Sequence, residues 1–538
     1  MTDMRRMILL GLLFLVSMML WNAWTAEHEP KILPPSQQQA STSSAPPSAI
    51  TSAVPVSSAP VSTAPISIAN RYINIKTDVM EATIDRVGGN LIGVKLLKYP
   101  VAANQPLNPF VLLNNEPDTY YIAASGIIGT NIPTPDQMVF NVTTQNDHQI
   151  ILTWQNSQGL KLTKMYTFPQ DDYLIQLKQT IDNQGTTAWQ GNSFTALQRK
   201  PAASSGVGPF NSSTYTGAVI SSPEKRYEKV SFKQMTDQNI DQTIQNGWIA
   251  MVQHYFLSAW VPDPSENDHY YSRVGADDLY TIGMQSPAIQ VAPGQQVSTQ
   301  SQLYTGPELA DKLAKIAPGL NLTVDYGVLW FIAVVIFGLL KKIHEYTGNW
   351  GWSIVLVTLT IKILFYKLNS ISFRSMARMR ALQPKLEQVR ERCGDDRQKL
   401  GQATMELYRR EKINPLSGCL PLIVQIPVFL ALYWVLMESV ELRQAPFIFW
   451  IHDLSIKDPY YILPLLMGAT IFIQQWLAPK AADPMQRKVM MLMPVIFTAL
   501  FFTFPAGLVL YWVVNNTLSI LQQWYIMNHV VPKSAKAA

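Results

Sequence analysis

Between residues 326 and 527 the sequence crowds its apolar residues into six blocks, at about 326–340, 350–368, 419–438, 460–478, 489–504 and 507–527. Hydrocarbon cannot satisfy backbone N–H and C=O groups, so such runs cross a bilayer as helices of about 20 residues. This feature sets the class of the chain before any other. It is a polytopic α-helical membrane protein, and the remaining questions are how many blocks cross and which way they point.

Lys and Arg decide orientation, because loops on the cytoplasmic side carry the excess of both. Residues 369–418 hold eleven of them, which places that loop inside. The segment from 68 to 318 reads as a soluble domain and lies outside, so an odd number of crossings must separate the two. The 326–340 block is short and runs into Lys341 and Lys342. If it crossed, the basic loop would land outside. It is therefore expected to lie flat, as an interfacial amphipathic helix within 319–346, with Trp330 and the lysines at headgroup level. The other blocks then alternate. The outside loop 441–458 carries only Arg443 and Lys457 as basic residues. The inside loop 479–488 carries Lys480, Arg487 and Lys488, and residues 504–507 form a tight outside turn.

At the N-terminus Arg5 and Arg6 precede an apolar run over 7–24. A signal peptidase wants a small residue at −3, and cutting after Ala26 would put Trp24 there. The reading is an uncleaved anchor over 1–26, with a cleaved signal peptide as the alternative. Residues 27–67, rich in Ser, Pro and Ala, form an extended tether. The total is six spans with both termini cytoplasmic, the C-terminal tail being 531–538.

The outside domain shows period-two alternation, as in Tyr72-Ile73-Asn74-Ile75-Lys76, punctuated by turns such as Gly88-Gly89-Asn90. This predicts a large all-β sandwich over 68–318, closed by a short helix at 308–316. The two cysteines, Cys393 and Cys419, both fall on the cytoplasmic side, so the sandwich is held by its core and not by disulfides. The seven histidines form no HExxH pattern, and no metal or other cofactor is expected. Trp154, Trp189, Trp248 and Trp260 are read as core residues, with a sugar-binding wall as the alternative.

One cation sits inside a span. Lys362 lies roughly 18 Å along the 350–368 helix at 1.5 Å per residue. Burying it costs on the order of 2.5–3.5 kcal/mol unless it faces a polar cavity. Thr358, Lys362, Tyr366 and Asn369 recur at spacings of one helix face. Gln425 on the next span, Thr470 and Gln474 on the fourth, and Tyr511, Asn515, Ser519 and Gln522 on the last add further polar stripes. No acid sits mid-span to neutralise Lys362. The arrangement points to a hydrated groove that receives negative charge. Snorkelling of Lys362 and plain interhelical hydrogen bonding are the alternatives. On the cytoplasmic side 369–418 reads as a basic helical hairpin, with Met376, Met379, Leu382, Leu386 and Val389 at helical spacing. A turn at Cys393-Gly394 and an N-cap at Asp395 follow. Its methionines, with Arg378, Arg380, Arg390 and Arg392, suit a nascent chain, ribosomal RNA or anionic lipid.

Several runs are distinctive: Asn414-Pro415-Leu416-Ser417-Gly418-Cys419-Leu420-Pro421, Gln425-Ile426-Pro427-Val428-Phe429, Val440-Glu441-Leu442-Arg443-Gln444-Ala445-Pro446-Phe447 and Pro505-Ala506-Gly507-Leu508-Val509-Leu510-Tyr511-Trp512. Together they closely resemble the YidC membrane-protein insertase family, most densely over 320–530. The layout of anchor, tether and sandwich resembles its Gram-negative form. The resemblance implies a five-helix core over 347–530 enclosing a hydrophilic groove open to cytoplasm and lipid. It implies no enzymatic activity and no small-molecule substrate. Lys362 falls where the family usually has Arg, and Thr358 and Gln425 fall on other groove positions. The implied partners are nascent membrane proteins, SecYEG with SecDF, the ribosome and the signal-recognition pathway. A solute transporter and a sugar-active enzyme are the rival readings.

Overall fold

The computed structural model describes residues 70–201, 215–394, 396–411, 420–478 and 484–530. The expected anchor, tether and C-terminal tail lie outside the described residues, as do Asp395 and residues 479–483 of the 479–488 loop.

Residues 72–307 form two packed antiparallel sheets, of ten and nine strands. The alternation read from the sequence is the alternation of the packing. The strand Leu160–Thr167 switches strictly between buried and half-buried residues, because successive side chains point to opposite faces. One continuous apolar core joins both sheets and takes in Trp189, Trp248 and Trp260. Trp248 and Trp260 are fully buried, each donating its indole N–H to a backbone carbonyl, of Pro318 and Ala196 respectively. They are core residues. A short helix, α1 (Phe232–Asp237), starts at a capping box in which Ser231 and Gln234 satisfy each other's backbone N–H groups. The closing helix is α2 (Ala310–Ile316).

One buried charge holds the sandwich centre. Lys164 Nζ donates to Gly88 O (2.7 Å), Gly89 O (3.3 Å), Ser125 O (2.7 Å) and Ser125 Oγ (3.1 Å). Gly88 and Gly89 both have positive φ, so their carbonyls turn inward and leave acceptors that an ammonium can fill. Burial pushes the Lys164 ammonium down to about 7.

The helical part begins with α3 (Trp330–Thr347), α4 (Trp350–Leu364), α5 (Tyr366–Ala381), α6 (Gln383–Cys393) and α7 (Arg397–Arg410). It continues with α8 (Leu420–Glu438), α9 (Ile462–Leu477), α10 (Pro484–Phe501) and α11 (Ala506–Tyr525). A second apolar core joins α3, α4, α8, α9 and α11. The 350–368 block is not one straight helix, as the sequence suggested. It breaks at Phe365, where α4 and α5 meet at 70°. The hairpin expected on the cytoplasmic side is likewise divided, with a break at Leu382 before Pro384. The cap of α7 is Asp396, one residue beyond the expected Asp395, and its side chain accepts from the N–H groups of Gln398 and Lys399.

The two parts share a seam. The loop after α8 inserts Val440 into the sandwich core. Arg443 Nη2 donates to Pro100 O (2.8 Å) and Gln444 Nε2 donates to the same oxygen (3.0 Å). The His254 ring meets Met437 O, near the C-terminus of α8, at 2.8 Å, which occupies one of the carbonyls that a helix end leaves open.

Candidate functional site

The break at Phe365 creates the site. Lys362 sits in the last turn of α4, where the free carbonyls favour a cation. Its Nζ donates to Ser519 Oγ on α11 at 2.7 Å. Ser519 passes the contact on, donating to Asn515 O at 2.7 Å. Beside this chain lies a small hollow of about 20 Å³, lined by Lys362, Asn369, Gln425, Tyr511 and Asn515 among apolar neighbours. That volume holds about one or two water molecules. Among the described residues Lys362 has no carboxylate partner.

The structure therefore brings together Lys362, Gln425, Tyr511, Asn515 and Ser519 from α4, α8 and α11. Thr358 stands apart. It is buried, and its hydroxyl donates back to Ile354 O at 2.6 Å on its own helix. The 70° break also splits the expected Thr358–Asn369 face, so Asn369 reaches the hollow from α5 while Tyr366 is exposed. Gln522 Nε2 donates to Tyr366 O at 3.2 Å, just past the break.

Other polar residues work between helices. Asn516 Nδ2 donates to Thr470 Oγ1 at 3.2 Å, Gln523 Nε2 donates to Leu477 O at 3.3 Å, and Gln475 donates to Met490 O. The sequence reading named Thr470 but not Asn516 or Gln523. Helical spacing gave the only available signal, and these two sit one residue off the stripe that was read.

In the hairpin, Arg378, Arg390 and Arg392 are exposed, and Met376 and Met379 are half-buried. Arg380 differs from its neighbours: its Nη1 donates to Leu477 O, the last carbonyl of α9, at 3.3 Å. It ties the hairpin to the C-terminal end of α9. No group of three or more His, Cys, Asp or Glu side chains among the described residues is arranged to hold a metal.

Two family models match, the YidC periplasmic domain over residues 72–339 and the 60Kd inner membrane protein over residues 342–534. Membrane protein insertase YidC of Coxiella burnetii (strain Dugway 5J108-111) is 46% identical over 545 residues, covering 97% of this chain and 96% of that protein. Membrane protein insertase YidC of Legionella pneumophila (strain Paris) is 47% identical over 539 residues, covering 97% of each. A crystal structure of an active YidC insertase with its first transmembrane domain resolved aligns with a TM-score of 0.40 at 18% identity, over 85% of this chain and 93% of that one.

Proposed function

The chain belongs to the YidC membrane-protein insertase family, and from that premise we propose that its Lys362 hollow is the point where a substrate's polar segment rests during insertion. The family function is non-enzymatic, and its setting is the inner membrane with the sandwich in the periplasm. The observation that carries the proposal is the contact between Lys362 and Ser519, a cation held at a helix break by a hydroxyl and surrounded by amides and a phenol. Moving a polar segment through hydrocarbon costs several kcal/mol per unsatisfied group. Water, Gln425, Asn515 and Ser519 would substitute for bulk solvent, and the Lys362 ammonium would attract an acidic tail. The hollow is small, so a substrate would enter by parting α4 and α8 from α11. The apolar helix would then partition into lipid, with the membrane potential as a further drive on charged tails. A lysine supplies the charge without the bidentate fork of arginine.

The topology we propose has six spans with both termini inside, α3 lying flat at the periplasmic surface. The helix running from Gly327 to Thr347 is long and apolar enough to cross, so length alone does not decide. Its contacts favour the flat reading. At its start Tyr326 meets Ser439, just past the outer end of α8. Further along, Lys341 pairs with Asp311 of α2, which belongs to the sandwich. At its end Asn349 donates to Pro446 O and Phe447 O in the same outer loop. Both ends thus contact groups on one side. Helix α4, of 15 residues, spans only about 22 Å at 1.5 Å per residue, short of a hydrocarbon core of about 30 Å. The bundle would sit in a locally thinned bilayer. The exposed hairpin arginines Arg378, Arg390 and Arg392, with Met376 and Met379, are the proposed meeting place for the ribosome, the signal-recognition pathway and emerging chains, with SecYEG and SecDF as partners in the membrane.

Reconstituted insertion assays test this. Lys362→Ala is expected to impair substrates with acidic periplasmic tails about tenfold, the equivalent of about 1.4 kcal/mol, and Lys362→Arg is expected to preserve them. Full activity of the alanine variant on acidic-tailed substrates would refute the role of the charge.

A further inference from the structure

The sandwich holds a second hollow, of about 30 Å³, lined by residues of both sheets and by none of the bundle. Gln179 comes from the nine-stranded sheet, and Ser193, Thr195 and Asp268 come from the ten-stranded sheet. All four are buried. Asp263 and Glu266, both exposed, also line it, so the hollow meets solvent beside two acids. Every polar side chain around it can accept a hydrogen bond, and none carries positive charge.

Two of these groups lack what burial normally requires. Gln179 is 2% exposed, and its Oε1 is buried with no hydrogen-bond partner among the described residues. Its cross-strand neighbour is Lys164, but that ammonium turns to Gly88, Gly89 and Ser125 and leaves Gln179 Oε1 without a donor. Asp268 is 4% exposed. Burial, and after it the nearby Glu266 and Asp263, pushes its carboxyl up to about 7, and no cation among the described residues stands against it. Buried acceptors nearly always find a donor, and buried charges are normally paired.

We infer that this hollow is a socket for a primary ammonium group brought by a ligand. Such a group is a compact charge with three donors, which suits the Asp268 carboxylate, Gln179 Oε1 and a hydroxyl of Ser193 or Thr195. The sandwich already holds one ammonium in this manner, that of Lys164 among its oxygens. The volume admits a head about the size of a water molecule and leaves no room for a planar guanidinium. A water would satisfy Gln179 but would leave Asp268 without a counter-charge. A metal ion fits less well, since no three His, Cys, Asp or Glu side chains among the described residues are arranged to hold one. Asp263 and Glu266 at the exposed side would draw cations in from solvent. The ammonium belongs to a free polyamine or to a lysine of a polypeptide, and the chemistry of recognition is the same for both. Nothing in the inference depends on the role of Lys362.

The test is titration of the full chain, in lipid nanodiscs, with putrescine, with N-acetyl-lysine methylamide and with the neutral 1,4-butanediol, followed by calorimetry and saturation-transfer NMR. Saturable binding of at least one amine is expected, and none of the diol. Binding of putrescine alone assigns the socket to free polyamines, and binding of the lysine amide assigns it to a polypeptide side chain; either supports the inference. Asp268→Asn keeps the shape and removes the charge, and it should weaken binding about tenfold. Gln179→Met should weaken it severalfold, and so should Asp263→Asn with Glu266→Gln on the exposed side, a change without folding risk whose effect should fade at high salt. Absence of saturable binding by both amines would overturn the inference, as would equal binding of the diol. Calcium binding in place of the amines would overturn it in favour of a metal site. Amine binding unchanged in all of these variants that fold would overturn it too.

Discussion

The buried Lys164 makes a prediction that can be worked through. Four acceptors surround its ammonium, which is 2% exposed as a residue. Burial lowers its pKa from 10.5 to about 7 in the folded chain. The unfolded chain keeps the ordinary value, so between pH 7 and pH 10.5 the unfolded state binds one more proton than the folded state. Stability therefore rises with pH across that window. Below pH 7 both states are protonated, and the cost of burying the charge is present in full. At 1.36 kcal/mol per unit, moving from pH 7 to pH 9 should stabilise the sandwich by about 2–3 kcal/mol, and the four acceptors, which favour the ammonium, pull toward the lower figure. In Lys164→Met this rise should vanish, because the group that titrates is gone. The assay is denaturant unfolding of the full chain at several pH values, followed by the fluorescence of the buried Trp248 and Trp260. Equal slopes of stability against pH in the two proteins would refute the reasoning.

Other outcomes follow from single contacts. Thr358→Val should leave insertion unchanged, since its hydroxyl serves only Ile354 O; parallel insertion assays with Lys362→Ala would separate the two. Gly351→Val should destabilise the bundle by about 1–3 kcal/mol, because a Cβ at Gly351 would stand 2.1 Å from the Phe447 ring, and thermal unfolding in detergent would show it. Arg443→Ala removes the contacts to Pro100 and Val101 and should loosen the seam, read as faster amide exchange at Tyr99 and Val101 with the sandwich core unchanged. Gly468→Val should separate α9 from α10 at Thr498 and lower the thermal midpoint.

Much of the molecule was written locally. Strand periodicity, the apolar blocks and the charge bias of the 369–418 loop depend on residues close in sequence, so a pattern of two, of 3.6 or of sign is enough to read them. The stripe of Tyr511, Asn515 and Ser519 was legible for the same reason, since one helix face is a property of one segment. Less legible were the points where the chain departs from a regular period. Nothing in 350–368 announces the break at Phe365; the segment reads as one apolar run, and the 70° turn is seen only in the folded chain. Thr358 shares the spacing of Lys362, yet it turns its hydroxyl to its own backbone because its side of α4 is buried in the bundle.

By itself, then, the sequence determined the class of the chain and its division into sandwich and bundle, and it marked Lys362 as a cation among uncharged polar residues in one apolar block. Only the tertiary structure decided that Lys362 meets Ser519 across 157 positions of sequence, that Lys164 fills the carbonyls of Gly88, Gly89 and Ser125, and that Arg443 and Gln444 grip Pro100. Hydropathy and period are sums over neighbours along the chain, and a segment carries them wherever it goes. Hydrogen-bond partners and close contacts are set when distant segments meet, and no local sum contains them.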